Sequence, residues 1–476
     1  MGGQDSQNKD PLAPIISQPA LAETGQPTPG PAGLISYNLE IGPIEFLGGL
    51  IERYGDVVRY QTRFGTCFVF IHPEHVHTIL HRENYRRASL VKMMLGDGLL
   101  ASDGPRWRSQ RRLMQRDFMP PGVAPFVSVM TRETAHTANA WQASAAADEA
   151  VDITTAMTRL TLRIVVESLF SDDLSDKASA DLCSAITLTI NDMGKISWTV
   201  FGVPVQLTPD RNASFASGKQ VIDSVCYEMI ARRRAQAPTD RPRDILTLLI
   251  EAETDSGPMD DRQVRDEIVT LLVGGHETTA LALAWAWKVI GEHPEIEAKL
   301  HKEVDEVLGG RSPELADLPK LPYTQGVFQE TMRLYPPVWY MARVANGDDV
   351  IHGHAVPRGA CVLISTWFTH RHKDFWPEPE KFDPTRFIGS DSKQLHRYAY
   401  FPFGGGRHQC LGMYFALMEG TIILADLAQR FRVRPLNSEQ IQPAPGITLR
   451  QTPGLQASVE PRFPSRAPLP AGSEAI

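Results

Sequence analysis

Cysteine is scarce in this chain of 476 residues. The five present, Cys67, Cys183, Cys226, Cys361 and Cys410, form no CxxC pair. So scattered a set excludes a disulfide framework and a zinc ribbon, and it suits reduced thiols in a cytoplasmic protein. Excess positive charge is lacking too. Lys plus Arg is 48 against 56 Asp plus Glu, a net charge of −8, which excludes a general nucleic-acid binder while leaving room for a local basic patch. No run reaches the ~18 apolar residues of a membrane helix. The nearest, 271–287, is broken by His276 and Glu277, so no integral membrane anchor is expected. Ala20-Leu21-Ala22 has the form of an export cleavage site. Pro11, Pro14 and Pro19 deny the preceding segment an apolar core, so export is not expected.

What is present is ordinary globular material, 42% hydrophobic and 22% charged. Residues 1–33, rich in Pro, Gly, Gln and Ser, read as a disordered tail. The β-branched and aromatic run 56–71, with Gly65 as its turn, predicts a hairpin. Helical patterning follows over 106–118, 157–170, 218–235, 243–252, 261–290 and 295–307. Strand-like segments return at 350–351 and 360–365, and a last helix is expected over 411–430. The expectation is a mainly α fold with small β-sheets, not strand–helix alternation.

The string Phe403-Gly404-Gly405-Gly406-Arg407-His408-Gln409-Cys410-Leu411-Gly412 carries the strongest signal. Consecutive glycines let backbone approach something flat or bulky. They lead into Cys410, with a helical pattern directly behind it. A thiol at a helix N-terminus is biased towards thiolate, and a thiolate is a metal ligand. Without a partner cysteine nearby, it suits a single axial sulfur, as in thiolate-ligated haem. A lone cysteine after a glycine loop is more often structural, but the whole string resembles the haem-binding signature of the cytochrome P450 family. That signature is Phe-x-x-Gly-x-(Arg or His)-x-Cys-x-Gly, and every specified position is filled.

Three further motifs stand in the family's order. In Gly274-Gly275-His276-Glu277-Thr278-Thr279, each mid-helix glycine costs about 1 kcal/mol relative to Ala, which suggests a kink or room for a ligand. An adjacent carboxylate and hydroxyl can relay protons. The string resembles the family's oxygen-activation motif, with Glu277 as acid and Thr278 as alcohol, both then catalytic. Glu330 and Arg333 share a helix face, and with Arg386 they resemble the family's structural brace. Trp107 and Arg111 also share a face, and their N–H groups suit a carboxylate. The resemblance assigns them to the haem propionates, with Arg343 and His408 at other positions that reach the same groups. Arg106, Arg108, Arg112 and Arg116 form either a solvated face or a docking surface for an acidic electron donor. His352 with His354 and His370 with His372 look like metal pairs, but no third ligand accompanies either, and surface histidines are expected.

The resemblance implies a roughly triangular single domain over 34–460, with 461–476 as a C-terminal tail. It implies haem b with Cys410 as axial ligand to iron, and Phe403, Gly404, His408 and Gly412 among the residues cradling it. The implied function is insertion of one oxygen atom of O2 into a lipophilic small molecule, such as a fatty acid, terpenoid or carotenoid. No length remains for a fused reductase, so electrons are expected from a ferredoxin and its reductase, in a bacterial-type cytoplasmic enzyme. The substrate pocket is expected from Leu90, Met94, Leu271, Gly274, Val338, Trp339 and Ile447; Arg87 and Lys92 could hold a carboxylate at its mouth, but exposed loop charges are more often solvated. The alternative is a non-catalytic haem-thiolate sensor or ligand carrier. The intact Glu277-Thr278 pair favours the enzyme.

Overall fold

The structure, a computed structural model, describes residues 28–35, 41–62, 65–87, 92–197, 209–254, 257–389 and 395–463. Its axis is the helical stretch Asp261–Leu272 and Thr278–Glu292, joined by one π-helical turn over Val273–Glu277. Asp260 starts it with a capping box. The Gln263 N–H donates to Asp260 Oδ1 at 2.7 Å, and the Asp260 N–H donates to Gln263 Oε1 at 3.1 Å. Residues 279–290 are buried on all sides, as a helix apolar all round must be. The whole stretch has the length and hydropathy to cross a membrane, but 78% of its most apolar window is buried inside the fold. Helices Ile153–Phe170, Pro322–Leu334 and Met413–Arg430 pack around it.

The predicted unbroken helix over 261–290 is therefore interrupted, and the glycine pair shows why. Gly275 lies against Val165, where an added Cβ would stand 2.9 Å from Val165 Cγ2. Gly274, by contrast, has nothing within 4 Å of a Cβ position. One glycine permits close helix packing and its neighbour opens a space, with a π turn between the two regular segments.

The predicted hairpin exists as Val57–Thr62 antiparallel to Gly65–Phe70. It belongs to a five-stranded sheet completed by Cys361–Ile364, Met341–Ala345 and Tyr85–Arg87. The pairing of the last two strands sets Arg87 directly opposite Arg343. Ordered chain extends slightly beyond the expected bounds of 34 and 460. The Arg59 N–H donates to Pro29 O at 2.9 Å, Pro461 pairs with Phe431, and Arg462 meets Asp305 at 2.6 Å. Residues 1–27 and 464–476 of the two expected tails lie outside the described residues.

The three residues of the expected brace meet one another. Arg333 donates through Nε and Nη2 to both oxygens of Glu330 at 2.7 and 2.8 Å. Arg386 Nε stands 3.4 Å from Glu330 Oε1. One histidine reading fails here. His370 is fully buried rather than at the surface, because its Nε2 accepts the Phe401 N–H at 2.9 Å. Burial beside Arg333 and Arg371 pushes its imidazole down to about 3.

Candidate cofactor and substrate site

The glycine loop wraps around Tyr398 before it presents Cys410. Gly404 and Gly406 have φ of 68° and 62°, in the left-handed region that favours glycine. A Cβ on Gly406 would stand 2.2 Å from Leu80 O, and one on Gly405 would stand 2.4 Å from the Tyr398 ring. The Cys410 N–H donates to Phe403 O at 2.9 Å, which closes the loop. The following helix begins at Met413 with Gly412 as N-cap, later than the expected start at residue 411. Those turn residues let the Gly412 N–H point at the sulfur. The sulfur opens onto an internal cavity. Burial pushes the thiol up, opposed by the Gly412 amide and the Arg111 guanidinium.

A cluster of hydrogen-bond donors occupies another part of the same cavity wall. Arg87, Trp107, Arg111, Arg343 and His408 all line it. Arg87 donates to the carbonyls of Leu99 and Leu100 at 2.9 and 2.7 Å, and its guanidinium lies 5.9 Å from the Trp107 ring centroid. Arg111 donates to Gln409 O at 2.8 Å, and among the described residues Arg343 donates only to the neighbouring Ala342 O at 3.0 Å. Burial pushes both Arg87 and Arg343 down to about 10. The His408 ring packs edge-on to Trp107 at 4.4 Å and is pushed down to about 3 by burial and Arg87, so it is neutral at pH 7.

These groups fit a ligand with carboxylates. Trp107 Nε1 and His408 Nε2 are buried without hydrogen-bond partners among the described residues. His408 Nε2 stands 3.4 Å from Asp103 Oδ1 without making one. Two desolvated guanidiniums directly opposite on adjacent strands repel unless an anion lies between them. Haem b has two propionates, an iron that takes an axial thiolate, and a flat body to match the glycine-lined wall. The donor cluster and Cys410 lie on one cavity, as its binding requires. The sequence left Arg87 open between a solvated loop charge and a carboxylate anchor at the pocket mouth. The strand register puts it in this cluster instead, a placement that local sequence does not reveal.

The remaining wall is mostly apolar: Leu99, Leu100, Leu271, Val338 and Met341, with Gly274, Thr270 and Thr278 from the central helix. Leu271, Gly274 and Val338 are thus where the sequence placed them. Three other expected pocket residues are not on the wall. Trp339 faces the opposite way from Val338, is fully buried beside the five-stranded sheet and donates to Gly446 O at 2.8 Å. Met94 is buried in the main core, where its carbonyl accepts from Arg265 at 3.0 Å. Ile447 packs against that core from the late hairpin turn. Leu90 lies outside the described residues.

Glu277 also departs from expectation. Thr278 lines the cavity, with its hydroxyl donating to Gly274 O at 3.0 Å. Glu277 turns away from it. Its Oε1 accepts from Arg450 at 2.5 Å and from Thr448 Oγ1 at 3.1 Å. Those two partners, both from the late hairpin, hold the carboxylate off the cavity wall that Thr278 lines. Local sequence did not single out a second buried carboxyl, beside Thr279. Glu419 is fully buried with both oxygens lacking full hydrogen bonds, close to the cavity-lining Thr279. Burial holds it well above the usual carboxylate range.

Another buried acid ties the wall to the central helix. Glu267 Oε2 accepts the Leu99 N–H at 3.0 Å, and burial, helped by Asp266, raises its carboxyl to about 7. An acid with a raised folded pKa favours the protonated native state. Stability therefore falls as pH rises from the unfolded value near ~4.3 towards 7. Glu267→Gln keeps an acceptor for Leu99 without the charge. It is expected to raise stability at pH 8 by on the order of 2 kcal/mol and to change it little at pH 4.5. Urea unfolding at both pH values checks this, and an equal effect at both would refute it.

A family model described as Cytochrome P450 matches residues 27–458. The chain is 35% identical over 449 residues to cyclooctatin synthase of Streptomyces melanosporofaciens, covering 93% of this chain and 95% of that protein. It is 32% identical over 452 residues to cyclooctat-9-en-7-ol 5-monooxygenase of the same organism, with coverage of 93% and 95%. It is 26% identical over 432 residues to pentalenene oxygenase of Streptomyces avermitilis, with coverage of 89% and 94%.

Proposed function

The chain belongs to the cytochrome P450 family of monooxygenases, and we propose that Cys410 holds haem b and that the substrate is a cyclic terpenoid. One observation carries the haem assignment: a thiol and a cluster of underused buried donors share one cavity. The apolar wall and relatives named for cyclooctat-9-en-7-ol and pentalenene support the substrate class.

Trp107, Arg87, Arg111 and Arg343 would hold the propionates, with His408 beside them. Haem bound there supplies O2 activation and oxygen-atom transfer, favoured by electron density from the thiolate. The residues of the chain set access and protons. Leu99, Leu271, Val338 and Met341 exclude water and bind by apolar area and shape. Thr278 Oγ1 holds a proton at the cavity surface, released from Gly274 O by rotation about χ1. Glu277 acts as a positioning residue, fixing the π turn through Arg450 and Thr448. Electrons would come from a separate ferredoxin and reductase. Arg106, Arg108, Arg112 and Arg116 are exposed, as docking to an acidic donor requires.

The test supplies surrogate ferredoxin, its reductase, NAD(P)H and 18O2 with a panel of cyclic terpenoids. One 18O atom per product molecule is expected. NAD(P)H consumption with no oxygenated product would favour the non-catalytic alternative. Thr278→Val keeps the side-chain shape and removes the hydroxyl. It is expected to cut product per NAD(P)H by about a hundredfold while leaving ligand affinity unchanged. Unchanged coupling in that variant would remove Thr278 from the proton path.

A further inference from the structure

One hydroxyl on the cavity wall is left unused by the fold. Thr270 lines the cavity from the central helix, upstream of Gly274 and Thr278, and is 6% exposed. Among the described residues its Oγ1 has no hydrogen-bond partner. Helical threonines commonly donate to the carbonyl four residues back. Thr134, Thr161, Thr278, Thr279 and Thr331 do so here, at 2.6, 3.0, 3.0, 3.3 and 2.8 Å. Thr270 does not, and Gly98 is the reason. A Cβ on Gly98 would stand 2.3 Å from Asp266 O and 2.2 Å from Thr270 Oγ1, so the Gly98 main chain lies over the carbonyl that Thr270 would otherwise use.

An unpartnered buried hydroxyl is costly, and a ligand that pairs with it recovers that cost. A helical threonine has two accessible χ1 wells. A rotation between them would break no hydrogen bond, because none is made, and pairing with a ligand requires that it turn Oγ1 to the cavity surface. The surrounding wall, Leu99, Leu100, Leu271, Val338 and Met341, offers no competing side-chain hydrogen-bonding group, and the Thr278 hydroxyl is engaged with Gly274.

We propose that Thr270 is a specificity-determining residue that anchors a hydroxyl already present on the substrate. The preferred substrate is then an alcohol of a cyclic terpenoid, so an alcohol-forming reaction must precede this one. The proposal rests on the terpenoid reading above and deepens it.

The test is a double-mutant cycle on ligand binding with the haem-loaded protein, read by calorimetry. The probes are two matched pairs, cedrane with cedrol and adamantane with 1-adamantanol. The near-spherical adamantanol can turn its hydroxyl towards any donor. Thr270→Val is expected to lower the alcohol-to-hydrocarbon affinity ratio about tenfold, with hydrocarbon affinity unchanged or tighter. Thr270→Ser is expected to keep the wild-type ratio. A ratio within twofold of wild type in Thr270→Val would overturn the proposal while leaving the terpenoid reading intact. Failure of the wild type to bind either cedrane or cedrol would overturn the terpenoid reading and the proposal together.

Discussion

Arg333→Ala is expected to destabilise the protein by about 3–5 kcal/mol, a large part of the ~5–15 kcal/mol that separates folded from unfolded domains. Arg333 and Glu330 are both fully buried, so removing the cation strands a carboxylate in the interior. Glu330 keeps only the Asp383 N–H at 2.9 Å and the more distant Arg386. Burial already raises its carboxyl against the pull of Arg333, and the variant would raise it further. The guanidinium also donates to the carbonyls of His370, Pro379 and Lys381 at 2.9, 2.6 and 3.0 Å, and it lies 4.9 Å from the Trp376 ring centroid. A lysine ammonium cannot span that set, so Arg333→Lys is expected to rescue little. An Arg333→Met, Glu330→Met pair removes both charges yet leaves the carbonyls unserved, and it too is expected to remain unstable. Urea unfolding measures all three, and a wild-type midpoint in Arg333→Ala would refute the role of the brace.

Arg343→Met should have opposite effects on the two forms of the protein. In the haem-free protein, Arg343 faces Arg87 across adjacent strands, both desolvated. Removing one cation relieves that repulsion, so the apoprotein is expected to be unchanged or more stable. In the haem-loaded protein the same change removes a buried partner of a propionate. Haem affinity is expected to fall on the order of a hundredfold. Haem transfer to an acceptor apoprotein measures the second effect, and thermal unfolding of the apoprotein the first. Loss of both apoprotein stability and haem affinity would make Arg343 a structural residue and would weaken the carboxylate-site reading.

Motifs read along the chain survive the fold well, and contacts across it do not. The 403–412 string carries its own turn geometry and presents Cys410 from within ten residues. Glu330 and Arg333 meet because three residues is nearly one helical turn. The pocket is different. Val338 and Trp339 are neighbours, and only the path of the backbone decides which faces the cavity. Glu277 and Thr278 divide for the same reason, with the Arg450 partner of Glu277 lying 173 residues away. Arg87 joins the donor cluster by strand register, and Thr270 looks like any core threonine until the Gly98 segment is seen to block its carbonyl. The helix Val127–Ala146 also escaped the sequence reading. It buries Met130, Thr134, Ala138 and Trp141 at helical spacing, but two of those four, Thr134 and Ala138, are small or polar.

The central claim is that Cys410 ligates haem as a thiolate, and a carbon monoxide difference spectrum of the dithionite-reduced protein tests it most directly, beside Cys410→Ala. A strongly red-shifted Soret band in the wild type that is lost in the variant is the predicted result. An unshifted band in the wild type, or a red-shifted band that survives in Cys410→Ala, would contradict it.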